Sequence, residues 1–169
     1  MLDLKNQIRS AVDASRARII AIAEQILHHP ELGYREFQAS KLMRDLFVEL
    51  GLPVQENLAI TGCRAVLDSG RPGPTVALLG EFDALPVPAH PLADPTTGAA
   101  HACGHHAQSA ALAGAAIALT ASKAIEKLSG KIVFIACPAE EFQALDFCRK
   151  LIAEKKLVYC GGKAELIRT

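Results

Sequence analysis

The chain has 169 residues, half of them hydrophobic, and its 18 Lys and Arg balance 18 Asp and Glu to no net charge. That length is enough for one domain with a real core. The balanced charge gives no footprint for nucleic acid, and no basic amphipathic face points to a membrane surface. The longest apolar stretch, Ala107 to Ile125, is Ala-rich and broken by Gln108, Ser109, Thr120, Ser122 and Lys123, so it is expected to be a buried helix rather than a membrane span. A charged, helical N-terminus without a signal peptide sets a cytoplasmic address as the expectation. Five cysteines without CxxC spacing do not read as a disulfide framework. Cys63, Cys137, Cys148 and Cys160 are expected to be small apolar fillers or free thiols, and only Cys103 has neighbours that suggest chemistry.

Ile8, Val12, Ser15, Ile19, Ile22 and Ile26 recur at alternating four and three spacing, which predicts one helix over about 3–28, stopped by Pro30. His28 and His29 fall in its last turn, where they suit the C-terminal dipole. A second helix is predicted over about 35–50, with Ala39, Leu42, Met43, Leu46 and Leu50 on one face and Gly51 as its C′ residue. Residues 54–58, 63–68 and 75–80 read as three strands joined by short turns, and are expected to form a meander. Residues 84–100 carry four prolines and little periodicity, and a loop of that length in a compact domain is expected to be functional. A helix is predicted over about 107–127, its many alanines allowing close approach to the sheet. Ile132 to Ala136 is a buried strand, 142–155 a helix, 157–159 a short strand, and Gly161-Gly162 a turn.

The stretch from 75 to 141 organises the rest. It reads strand, helix, strand, so both strands are expected to be parallel, with their carboxyl ends and the start of the connecting helix on one edge of the sheet. Asp83, the Cys103/His105 pair and Glu140-Glu141, far apart in sequence, are then expected to meet where ligands bind in open α/β sheets. The fold class expected is α/β, three-layer α/β/α with a mixed sheet.

Cys103-Gly-His105 offers a thiolate and an imidazole two residues apart, with Gly104 permitting the tight turn that lets both face one point. Both are ligands for Zn²⁺ and similar ions. The alternative is a buried cysteine beside a capping histidine. Glu140-Glu141 follows a fully apolar strand. Either both carboxylates open the next helix and favour its dipole, or one holds a metal while the other takes a proton from the water that the metal activates. Asp83 is either a turn residue bonding its own backbone or a carboxylate orienting a metal-ligating imidazole. Glu81 is a weaker candidate of the same kind, and His101 and His106 are candidates for lining a substrate pocket. Cys103 as a nucleophile activated by His105 or His106 is a separate reading, which leaves Glu140-Glu141 idle. No GxGxxG or Walker loop is present, so nucleotide binding has no support.

Asp83-Ala-Leu-Pro86, His101-Ala-Cys-Gly-His105 and Pro138-Ala-Glu-Glu141, in that order, resemble the M20 metallopeptidases, and most closely the amidohydrolases acting on N-acyl or aminobenzoyl amino acids and dipeptides. His29-Pro-Glu-Leu-Gly33 resembles a phrase near the start of that branch. The resemblance implies two divalent metal ions per site, Zn²⁺ or Mn²⁺. Cys103, His105 and Glu141 would be metal ligands, Glu140 the general base and Asp83 a supporting catalytic carboxylate. It implies a small-molecule amide substrate. Many relatives read Cys-Gly-His-Asp with a further His, whereas here His106-Ala-Gln-Ser109 follows, a departure bearing on substrate more than on metal. Family members are more than twice as long, and their later part supplies further histidine ligands, a lid domain and closing strands. The expectation is therefore an N-terminal portion of a catalytic domain with three of five ligands, its metal binding weak or absent, inactive alone and prone to homo-oligomerise through exposed apolar surface. The alternatives are a non-catalytic piece that binds a small molecule or protein, and a cysteine-dependent hydrolase using Cys103.

Overall fold

The structure, a computed structural model, describes residues 2–141 and 143–168. The N-terminal stripe folds as two helices, α1 (Leu2–Ala14) and α2 (Arg16–His28), rather than one. Ser15 leaves helical geometry at φ −97° and ψ 5°, although its carbonyl still accepts from the Ile19 N–H. His29 Nδ1 lies 2.8 Å from the Gln25 carbonyl, the expected role at a helix end. Helix α3 (Phe37–Glu49) closes with Gly51 at φ +72°. There the Gly51 and Leu52 amides donate to Val48 and Phe47, which satisfies the last carbonyls. The Glu31 carboxylate accepts from the Gln38 and Ala39 amides and so caps the start of the same helix.

Six strands follow: β1 (Val54–Leu58), β2 (Gly62–Asp68), β3 (Thr75–Glu81), β4 (Leu85–Pro86), β5 (Ala99–Ala100) and β6 (Lys131–Cys137). The main sheet runs β1-β2-β6-β3, so the expected meander is not formed: β6 inserts between β2 and β3. It pairs antiparallel with β2 and parallel with β3, which gives the expected mixed sheet. Phe134, Ala136 and Cys137 of β6 are fully buried, whereas β3 exposes Val76 and Leu79 and takes the edge. The turn over residues 69–74 is stitched to the start of β6 by backbone bonds among Ser69, Arg71, Pro74, Gly130 and Lys131. The Arg71 guanidinium also donates to the carbonyls of Ile125, Glu126 and Leu128.

The connecting helix α4 (His105–Ala121) is followed by a short 3-10 turn, Ala124–Lys127. It approaches β3 closely, since a Cβ on Gly80 would lie 3.0 Å from the Leu112 Cβ. One core joins α2, α3 and α4 to Cys63, Ala65, Phe134 and Ala136 on one face of the sheet. On the opposite face Arg64, Val66, Val133 and Ile135 are half-buried and belong to neither core cluster, and the whole is the expected α/β fold with a mixed sheet.

Helix α5 (Leu145–Ala153) starts later than expected, and Phe142 lies outside the described residues. Residues 157–159 form no strand. The Glu165 carboxylate instead takes the Val158 and Tyr159 amides that a strand would have paired. Gly161 turns at φ +96° into a last helix, α6 (Gly162–Arg168). Cys148 and Cys160 form a disulfide, against the expectation of free thiols. The second apolar cluster, with Tyr34, Leu151 and Leu157, brings them together, and their separation of 12 residues carries no signal in sequence. Cys63 and Cys137 are buried free thiols as expected.

Phe134 is wholly buried with its ring 6.0 Å from that of Phe47. Phe134→Ala is expected to cost about 3–5 kcal/mol, read as a lowered midpoint in urea unfolding.

Candidate metal centre

Strands β3 and β6 end side by side, Glu81 opposite Cys137, and the chain beyond each carries the acidic residues. The long loop after Asp83 is less irregular than its composition suggests. Its Asp94 side chain accepts from Thr96 and Thr97, and Leu85 pairs with Ala100, which returns the chain to Asp83. Gly104 then sits in the left-handed region at φ 96°, the turn expected of it, so that exposed Cys103 precedes α4 and buried His105 opens it.

The His105 Nδ1–H donates to the Asp83 carbonyl at 2.9 Å, while Asp83 Oδ1 lies 3.1 Å from the same nitrogen and takes no hydrogen bond. This fixes the ring and turns Nε2 toward Glu81 Oε2 at 3.4 Å, Glu140 Oε2 at 3.7 Å and Glu141 Oε2 at 3.8 Å. The Asp83 side chain pushes the His105 pKa up to about 9. Nε2 is therefore a place that holds a cation, either a proton or a metal ion. Burial opposes ionisation of Asp83, but His105 and the amides of Glu141 and Glu140 outweigh it and hold the carboxyl below its ordinary value.

On the far side, Ala139 takes φ +44° after Pro138 and turns the chain back. The Glu141 amide donates to Asp83 Oδ2 at 3.0 Å. Because α5 begins at Leu145, Glu140 and Glu141 lie in a bend ahead of it rather than in its first turn. That removes the helix-dipole explanation for the acidic pair.

Ligand atoms of Cys103, His105 and Glu141 lie within 4.8 Å of one another, as do those of Glu81, His105 and Glu140. Ligands placed tetrahedrally about one zinc at 2.0–2.3 Å stand about 3.3–3.8 Å apart. A sulfur, an imidazole nitrogen and a carboxylate at this spacing fit a divalent ion. The Cys103 thiol is pushed up, first by its hydrogen bond to Glu141, the opposite of what a nucleophilic cysteine needs. His101 is 5 % exposed and its ring lies 5.5 Å from that of half-buried His106. Burial pushes the His101 pKa down to about 4, so it stays neutral, and it offers little surface to a substrate.

Residues 77–163 match the model of peptidase family M20/M25/M40. The chain belongs to this family. Among M20 relatives, thermostable carboxypeptidase 1 of Saccharolobus solfataricus is 36% identical over 153 residues, 88% of this chain and 37% of that protein. The N-acetyl-L-cysteine deacetylase of Bacillus subtilis is 34% identical over 73% of this chain and 30% of its own length. The solved structure of B. subtilis YXEP protein, described as a dinuclear metal binding peptidase from the M20 family, superposes with a TM-score of 0.67 at 29% identity, covering 88% of this chain and 41% of that one. The chain thus spans well under half the length of these M20 proteins.

Three residues carry more of this M20 site than sequence reasoning gave them. Glu81 faces His105 directly. Lys163 Nζ lies 2.5 Å from Glu81 Oε1 and 3.0 Å from Glu140 Oε1, and nothing near it in sequence announces this. Glu36 is wholly buried, accepting from Thr61 Oγ1 at 2.6 Å and from the Ala139 amide at 2.7 Å. Its signal was available, since an acid at 36 falls on the same helical face as Ala39 and Met43.

Burial pushes the Glu36 pKa from 4.5 up to about 7, against the pull of its two hydrogen bonds. The folded protein then holds this proton more tightly than the unfolded chain. The resulting stabilisation is complete below about pH 4.5 and is lost as pH rises through about 7. The difference in unfolding free energy between wild type and Glu36→Gln is expected to fall by about 3 kcal/mol between pH 4.5 and 8, measured by urea unfolding across that range.

Proposed function

We propose that the chain is the N-terminal portion of the catalytic domain of a metal-dependent amidohydrolase that cleaves the amide bond of an N-acyl amino acid or dipeptide-like substrate. The observation that carries the reading is the convergence of the Cys103, His105 and Glu141 ligand atoms within 4.8 Å of one another. Relatives named as a carboxypeptidase and as an N-acetyl-L-cysteine deacetylase support amide hydrolysis.

Cys103, His105 and Glu141 hold the ion, Zn²⁺ or Mn²⁺, which when bound supplies Lewis acidity and lowers the pKa of water to roughly 7. Asp83 orients the ligands through its carbonyl on His105 and its carboxylate on the Glu141 amide. Glu140 is the general base, with Oε2 toward His105 and Oε1 held by Lys163. It takes a proton from water at Oε2 and returns it to the departing amine. Half-buried His106 is the substrate-side candidate of this reading, whereas buried His101 offers little surface to a substrate. On this reading the 169-residue chain, which spans well under half the length of these relatives, is inactive by itself.

Titration with Zn²⁺ or Mn²⁺ is expected to show binding that Cys103→Ala abolishes, with no hydrolysis of an N-acetyl amino acid by the pure chain. Turnover by the chain alone, sensitive to alkylation and indifferent to chelator, would sink the reading in favour of thiol chemistry. The exposed Val76 and Leu79 on edge strand β3 support self-association. Light scattering is expected to report a species larger than 18.0 kDa, and a clean monomer would refute it.

A further inference from the structure

The two candidate ligand groups share one residue. Cys103, His105 and Glu141 form one group, and Glu81, His105 and Glu140 the other. The imidazole has only one nitrogen to give, because its Nδ1–H is committed to the Asp83 carbonyl. A second ion beside the first would therefore be held by the Glu81 and Glu140 carboxylates without the imidazole.

The groups also differ in charge. Glu81 and Glu140 already have a cation between them. The Lys163 ammonium lies 2.5 Å from Glu81 Oε1 and 3.0 Å from Glu140 Oε1, on the edges of those carboxylates turned away from His105. No lysine or arginine ion pair is recorded for Cys103 or Glu141 among the described residues, and Glu141 Oε2 faces His105.

The placement of Lys163 is built rather than incidental. The Gly162 amide donates to the Ala139 carbonyl at 3.0 Å, and the Gly161 amide to Tyr34 Oη at 2.7 Å. A Cβ on Gly162 would fall 1.7 Å from the Pro138 carbonyl oxygen, so the start of α6 lies hard against the turn that carries Glu140 and Glu141. The Cys148–Cys160 disulfide anchors the segment just ahead of it. A lysine fixed this way is a permanent positive charge at a set distance from two carboxylates. A second divalent ion would have to displace it against direct Coulomb repulsion.

We propose that this chain holds one divalent ion, at Cys103, His105 and Glu141, and that Lys163 occupies the place of a second cation between Glu81 and Glu140. The proposal rests on the metal-centre reading above and departs from the dinuclear description of the B. subtilis relative.

Equilibrium dialysis of the 169-residue chain against Zn²⁺ or Mn²⁺, with bound metal read by atomic absorption, tests it. One ion per chain is expected for wild type, two for Lys163→Met, and one again for Lys163→Arg, which keeps the charge. Lys163 is half-exposed, and circular dichroism checks that the variants fold. Two ions in wild type, or one in Lys163→Met, would overturn the proposal. No metal in either protein would overturn the metal-centre reading itself, which keeps the two failures apart. Co²⁺ locates the single ion. A sulfur-to-cobalt charge-transfer absorption is expected in wild type, retained in Lys163→Met and lost in Cys103→Ser. A bound ion without that absorption in wild type would place it away from Cys103 and refute the assignment.

Discussion

Asp83 joins the two halves of the site. Its carbonyl accepts from His105, at the start of α4, and its Oδ2 accepts from the amide of Glu141, beyond the end of β6. One buried residue at the end of β3 therefore sets both the ring orientation of the imidazole and the height of the acidic turn. A buried carboxylate is costly unless it is fully engaged. Its Oδ1 takes no hydrogen bond, so only the adjacent His105 ring, 3.1 Å away, compensates that atom. The orientation of the His105 ring and the ionisation of Asp83 hold each other in place.

A second buried acid supports the same turn from behind. Glu36 belongs to the start of α3, yet one of its oxygens accepts from the Ala139 amide and the other from Thr61. Ala139 sits in the left-handed region, a conformation that costs an alanine free energy and persists only when its surroundings impose it. The Glu36 bond on its amide and the Gly162 bond on its carbonyl are those surroundings. The turn bearing Glu140 and Glu141 is thus held by α3, by Asp83 and by α6, three elements distant in sequence.

The strand order distributes exposure in a way that matters beyond the site. β6 takes the centre and β3 the edge, so among the described residues a backbone row flanked by exposed Val76 and Leu79 has no strand partner and runs toward the candidate metal centre. On the face away from the α2, α3 and α4 core, side chains such as Val133 and Ile135 are only half-buried.

Local pattern carried much of this protein. The helical stripe through Ala39, Met43 and Leu46, the C′ role of Gly51, the turn at Gly104 and the parallel pairing across α4 all follow from near-neighbour sterics and periodicity. These rules also put Cys103, His105 and Glu141 at one rim, because the strand-helix-strand unit leaves little freedom in where its ends fall. What stayed hidden depends on contacts between residues far apart in sequence. The insertion of β6 between β2 and β3 pairs strands far apart in sequence, which no local pattern specifies. The Cys148–Cys160 bond was decided by the packing of α5 against the loop before α6. Glu36 and Lys163 reach the site across 103 and 23 residues respectively, and no local pattern encodes a partner at that range. The sequence by itself determined which chemical groups the rim would carry. Only the tertiary structure decided how their charges are balanced, because electrostatic balance depends on distances that a linear spacing does not contain.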